Sequence, residues 1–186
     1  MENPDFLTIA RMLAIYLHVL ALAIAAVAVA FGDFAIFARD RIDMKMLGKA
    51  ASVATLALVV LWITGLGVIA MDTGFDTELL ATKPKLLAKL SVVTVLTVNS
   101  LALHLLAFPR MAVPQADPQQ AAVLPVVFGA ISATSWLYAA FVGIAKPVAA
   151  MLGYMGFMGM FALNLADYPE ARAALVADPS LIPDAM

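Results

Sequence analysis

The sequence contains no cysteine, and only 13% of its 186 residues are charged. Without thiols the chain can form neither disulfides nor thiolate metal sites, although its redox compartment stays open. The formal net charge of -2 excludes the strongly basic surface by which proteins bind nucleic acid nonspecifically. Only two histidines are present, so any imidazole chemistry is restricted to His18 and His104.

Apolar residues make up 64% of the chain, and the mean hydropathy is +0.98. A soluble domain is about half apolar and about a quarter charged. Lipid has to solvate the excess of apolar side chains. Only helices or closed barrels satisfy the hydrogen bonds of their backbone groups in lipid. The composition therefore predicts an all-α polytopic membrane protein.

Five apolar runs predict a five-transmembrane-helix antiparallel bundle, with spans at about residues 6–31, 50–71, 84–108, 123–145 and 148–165. Pro84 suits the first turn of a helix, where its missing N–H has no helical partner. Lys146-Pro147 separates the last two spans, and residues 168–186 read as a solvated tail. The first run follows an acidic leader and is too long for a signal core, which favours a retained span.

Loop charges give little information on orientation. The side that holds the N-terminus is here called side B, and the opposite side is side A. Side A collects six of the eleven Lys and Arg residues and side B five. The cluster between Arg39 and Lys49 favours a cytoplasmic side A under the positive-inside rule.

Span one carries its ionisable residue on a stripe of small residues. The stripe follows steps of three and four: Arg11, Ala14, His18, Ala21, Ala25, Ala28 and Gly32. Small residues allow close helix contact in membranes, so His18 should point into the bundle. A second stripe, Ala23, Ala26 and Ala30, competes with this assignment.

Depth counting decides which side chains can meet. His104 lies about 12 Å deeper from side B than His18, which argues against one haem held by both. Residues of similar depth to His18 are Trp62, Thr64, Trp136, Tyr138, Met151 and Met155, below the cations Arg11, Lys85, Lys89 and Lys146. These residues predict a pocket in the side-B half of the bundle.

Three kinds of chemistry suit such a pocket. The first is haem b, with His18 as an axial ligand, Met151 or Met155 as a second one, Arg11, Lys85 and Lys89 on the propionates, and Trp62 and Trp136 as walls. The second is copper, because imidazole and thioether groups bind Cu(I); candidate metal ligands are His18, Met151, Met155 and His104. The third is proton or solute movement along His18, Asn99 and His104.

Ordinary packing explains each of these residues equally simply. A histidine in a span can hydrogen-bond to a neighbouring helix. Methionine stripes usually fill irregular gaps, and lysines at span ends usually anchor the helix at the interface. A structural or accessory membrane subunit without a cofactor is therefore the third alternative, beside haem and copper.

Short motifs resemble a group of small bacterial membrane proteins. They are Tyr16-Leu17-His18-Val19-Leu20, Leu61-Trp62-Ile63-Thr64-Gly65-Leu66 and Lys83-Pro84-Lys85-Leu86-Leu87-Ala88-Lys89-Leu90. The group includes the HemJ-type protoporphyrinogen oxidases and the membrane domain of CopD-type copper-resistance proteins. The segment from Asn99 to Arg110 resembles uncharacterised relatives in particular.

The resemblance implies a multi-pass protein of the bacterial inner membrane. A first-span histidine and a third-span lysine are tied to haem binding in the HemJ-type proteins, and they map to His18 and Lys89. The fifth span and the late position of His104 depart from that pattern, so oxidase activity is not carried over. A membrane oxidoreductase that works with a redox partner or quinone is the candidate activity.

Overall fold

The computed structural model describes residues 5–37, 44–111, 118–145 and 151–166, and all regular structure within these ranges is helical. The elements are α1 (Phe6–Phe37), α2 (Met44–Thr73), α3 (Thr77–Ala81), α4 (Pro84–Ala102), a π-helical turn (Leu103–Ala107), α5 (Phe108–Met111), α6 (Pro118–Ile144) and α7 (Tyr154–Ala166). The predicted all-α class is confirmed. The predicted tail at 168–186 and the Lys146-Pro147 break lie outside the described residues.

Four described segments are long and apolar enough to cross a membrane, namely Phe6–Gly32, Lys45–Thr73, Pro84–Arg110 and Val127–Ile144. Large apolar side chains such as Leu56, Ile63 and Leu137 are exposed on them. Lipid is as apolar as these side chains, so their exposure carries no penalty in a bilayer. The chain is a multi-pass membrane bundle.

The fifth predicted span is shorter than expected. Helix α7 has 13 residues, which is about 20 Å against a hydrocarbon thickness of about 30 Å. It begins after Gly153, whose carbonyl accepts the Phe157 N–H at 3.2 Å. Glycine is a favourable residue before the first helical position, and so the helix starts there. Among the described residues, four segments are long enough to cross a membrane, and the helix in the place of the fifth predicted span is a shorter apolar one.

Helices α1 and α2 form a tightly packed antiparallel hairpin. Ala21, Ala25 and Ala28 of the predicted stripe are buried, while Ala23, Ala26 and Ala30 are exposed. A Cβ on Gly32 would lie 3.8 Å from Leu47 Cδ1, so this end of the stripe also touches α2. The first of the two competing stripes is thus confirmed as the packed face.

Helices α4, α6 and α7 pack on one another, and two buried clusters hold the bundle together. One cluster combines all four long helices: Ala21, Ala25, Ala57, Leu58, Leu61, Leu96 and Trp136. The other fixes α7 between α4 and α6: Ala88, Val92, Tyr138, Val142, Ala145, Phe157 and Phe161. The Tyr138 hydroxyl donates to the Phe157 carbonyl inside the second cluster.

A π-helical turn carries the third span past Pro109. Proline lacks an N–H and clashes with the carbonyl four residues earlier. The wider turn at Leu103–Ala107 comes directly before it, and the helix continues to Met111 instead of ending at Phe108. At its start the Leu103 N–H is shared between the carbonyls of Asn99 and Ser100. His104 Nδ1 lies 2.9 Å from the Ser100 oxygen and donates to it.

We expect His104→Ala to destabilise the protein by about 1 kcal/mol, the net value of one hydrogen bond, because the Ser100 carbonyl then keeps only its share of the Leu103 N–H. Unfolding in mixed micelles measures this change. Ser52→Ala is the matched control, since Ser52 also donates to a carbonyl of its own helix, at 2.8 Å, but in a regular helix. Equal stabilities of the two variants would refute the role of His104 at the π turn.

Candidate functional site

His18 is held against α2 by a hydrogen bond to Thr64, and it lies close to the α2 backbone at Gly65, which has no side chain. Its Nδ1 lies 2.9 Å from Thr64 Oγ1, and Thr64 is buried. A Cβ on Gly65 would come within 3.5 Å of His18 Cε1, so the imidazole rests directly on the α2 backbone. The half-buried ring therefore faces the hairpin interface, as the sequence predicts.

The Thr64 hydroxyl favours one tautomer of His18. Thr64 Oγ1 lies 2.7 Å from the Val60 carbonyl oxygen and 3.3 Å from that of Leu61, and a hydroxyl that donates to either carbonyl accepts from His18. In the neutral ring this arrangement places the proton on Nδ1. Nε2 is left with a lone pair, which is the state that a metal ligand requires.

Lys89 is a half-buried cation in the neighbourhood of this ring. The Lys89 ammonium is close enough to the His18 imidazole and to the Lys85 ammonium for their positive charges to repel one another. Within the described part of the chain, no hydrogen bond or ion pair involves the Lys89 ammonium. A cation inside a span without an anion is costly, and it favours a negatively charged ligand group beside His18.

The other two predicted cations already have partners. Arg11 forms a bidentate ion pair with Asp72, with Nε–Oδ1 at 2.8 Å and Nη2–Oδ2 at 3.2 Å. Lys85 Nζ donates to the Gly143 carbonyl at 3.2 Å. Asp72 is a residue that the sequence reasoning missed. In the antiparallel hairpin, Arg11 lies about two turns from His18, and Asp72 lies about two turns from Thr64 on the facing helix. Arg11 and Asp72 are therefore opposite each other, and the hairpin pattern could have identified Asp72.

The two tryptophans occupy different environments. Trp62 is half-buried and its indole N–H donates to Thr97 Oγ1 at 2.9 Å, linking α2 to α4. Trp136 is buried in the cluster that joins the four long helices. Trp62 thus lies two residues from Thr64 on the same helix, whereas Trp136 contributes to the core.

The methionines do not face the packed interior. Met151 is 85% exposed and Met155 is 78% exposed, and the close neighbours of α7 are α4 and α6. The structure therefore does not bring their thioethers into the interface that holds His18. No cluster of three or more His, Asp or Glu side chains suited to a metal ion occurs in the described ranges. A shared metal site of His18, Met151 and Met155 stays a prediction.

His104 lies far from His18 along the bundle. Ser100, which accepts from His104, contacts Thr55 Oγ1 at 3.3 Å, whereas His18 contacts Thr64. Nine residues separate Thr55 from Thr64, which is about 13 Å along α2. The exposed His104 serves the π turn, and the depth argument against a shared haem agrees with this placement.

Asn99 on α4 and Ser135 on α6 are both buried. Asn99 Nδ2 donates to the Phe128 carbonyl at 2.9 Å. Asn99 Oδ1 and Ser135 Oγ have no partner among the described residues. Asn99 therefore fastens two helices together, and the polar path through His18, Asn99 and His104 has no continuous chain of hydrogen bonds in the described structure.

No family model, no curated protein and no solved structure matches this chain. The proposal below therefore depends on the geometry around His18 and on the resemblance of the short motifs.

Proposed function

We propose that this multi-pass membrane protein binds haem b beside α1 and α2, with His18 as an axial ligand, and acts as a redox or haem-handling protein. The observation that carries the proposal is the imidazole of His18, which is held against α2 with Nδ1 2.9 Å from Thr64 Oγ1 and Cε1 close to Gly65, in an arrangement that favours a lone pair on Nε2. The motifs around His18 and Lys89 resemble haem-binding proteins of the bacterial plasma membrane, and we propose that location for this chain.

The residues present fit haem in two respects. His18 offers one axial nitrogen, and the half-buried Lys89 offers a charge for a propionate. Trp62 is two residues from Thr64 on α2, so it lies on a different face of the helix and bonds Thr97 on α4. Arg11 could serve a propionate only by leaving Asp72. Bound haem supplies one-electron chemistry at its iron, while Thr64 and Gly65 orient the imidazole and Lys89 balances the propionate charge.

The direct test is the visible spectrum of the protein purified in mild detergent, oxidised and then reduced, with metal analysis of the same sample. We expect a Soret band that shifts on reduction, together with stoichiometric iron. A colourless folded protein from cells with ample haem would overturn the proposal. Stoichiometric copper that falls in Met151→Leu with Met155→Leu would favour the copper alternative instead.

Thr64→Val tests the orienting role of the hydroxyl. Valine keeps the shape of threonine but removes the acceptor of the Nδ1 proton, so both the tautomer and the ring angle become free. Removing such an outer partner typically costs about 10–100-fold in metal affinity, and we expect a loss of haem affinity in this range. Haem titration of the stripped protein measures it. Thr94→Val, which removes a hydroxyl on α4, should leave the affinity unchanged.

A further inference from the structure

A groove between α4 and α7 forms a second candidate site on the other side of α4. It has a volume of about 440 Å³ and is lined by Leu87, Leu90, Ser91, Thr94 and Tyr154. Ligand sites commonly enclose about 300–1,000 Å³, so the groove can hold a substituted ring. Lys89, which neighbours His18, lies between Leu87 and Ser91 in sequence but on a different face of α4.

The polar part of the groove is a pair of hydroxyls. Ser91 Oγ and Tyr154 OH lie 3.0 Å apart and share one hydrogen bond. The pair has two protons and uses one between its members, and neither hydroxyl has another hydrogen-bond partner in the described structure. One O–H is therefore left to donate. Thr94 differs, because its hydroxyl already donates to the Leu90 carbonyl at 2.8 Å.

The lining of the groove restricts the ligand. Ser91 lies in the segment Pro84–Arg110, which is long and apolar enough to cross a membrane, and no charged side chain lines the groove. Acyl chains carry no acceptor, and a phosphate would have no cation among the lining residues. A ligand for this donor has to bring an uncharged oxygen acceptor on an otherwise apolar frame.

We propose that the α4–α7 groove binds the ring of a lipid-soluble quinone, with one carbonyl oxygen accepting a hydrogen bond from the Ser91–Tyr154 pair. Leu87 and Leu90 cover the ring, and the isoprenoid tail extends into the bilayer. Binding at this groove does not require haem at His18.

The test uses the full chain in quinone-free detergent, without haem, titrated with a decyl-substituted benzoquinone in equilibrium dialysis. We expect saturable binding of one molecule per chain. Ser91→Ala combined with Tyr154→Phe should weaken the affinity about tenfold, the value of one hydrogen bond. Thr94→Trp, which fills the groove from an exposed position, should abolish binding.

Three controls separate specific binding from partition into the detergent. Ser52→Ala removes a hydroxyl as Ser91→Ala does, and Leu137→Trp adds an indole at an exposed position as Thr94→Trp does. Both control variants should bind the quinone as the native chain does. Decylbenzene has the same tail without carbonyl groups and should not compete. Unsaturable uptake, full competition by decylbenzene, or native affinity in Thr94→Trp would each overturn the proposal. His18→Ala should leave quinone binding unchanged, so a failure of the haem proposal would remain distinguishable.

Discussion

His18→Ala is expected to leave the purified protein folded but without its Soret band. Nε2 of His18 is the nitrogen that we propose as the axial ligand, and alanine offers no replacement. Alanine is also a good helix former, and the neighbouring stripe residues that pack on α2 are alanines already. The variant should therefore keep its helical content in circular dichroism while losing stoichiometric haem. Visible spectroscopy and iron analysis of the same preparation measure the loss.

His104→Ala is the matched control for that experiment. Both histidines use Nδ1 for a hydrogen bond, but His104 is exposed at the π turn and about 13 Å or more away along the bundle. Its replacement should lower stability slightly and leave the Soret band intact. Loss of haem in both variants, or retention of haem in His18→Ala, would contradict the assignment of His18 as the ligand.

The features that the sequence predicted well depend on local pattern. The alanine stripe of α1 was predictable because helical periodicity fixes which residues share a face. The start of α4 at Pro84 followed from the chemistry of the first helical turn. The depth match of His18 and Thr64 followed from the antiparallel order of spans one and two, since each residue adds a fixed rise along the helix axis.

Features that depend on the partner of each face were not predictable in this way. Counting depth placed Met151 and Met155 level with His18, but depth says nothing about rotation around the bundle, and both methionines are exposed, Met151 just before α7 and Met155 on it. The same limitation applies to Arg11, whose charge suggested a propionate but whose nearest acid is Asp72. Pro109 marked the end of a span in sequence terms, whereas the π turn before it lets the helix continue.

Lys89 differs in its hydrogen bonding from Arg11 and Lys85, the other two cations predicted to contact the propionates. Arg11 and Lys85 satisfy their donors with Asp72 and the Gly143 carbonyl, and both bonds tie helices together. Lys89 makes no such bond in the described structure, although it sits half-buried in the same span. A half-buried charge without a hydrogen bond or ion pair among the described residues, in the neighbourhood of His18, is the reason that Lys89 has a place in the haem proposal.

Phe157→Ala is expected to cause the largest loss of stability in the bundle. Phe157 is fully buried between α4 and α6, and the short α7 has no other extensive packing surface. The unfolded reference keeps the side chain in lipid, so the hydrophobic transfer term largely cancels. The cavity term remains, at about 24 cal/mol per Å³, which gives about 2–3 kcal/mol for a benzyl-sized void. Unfolding in mixed micelles measures the change. Leu163→Ala, on the same helix but 68% exposed, should cost far less, and equal losses in the two variants would show that α7 is not held by this cluster.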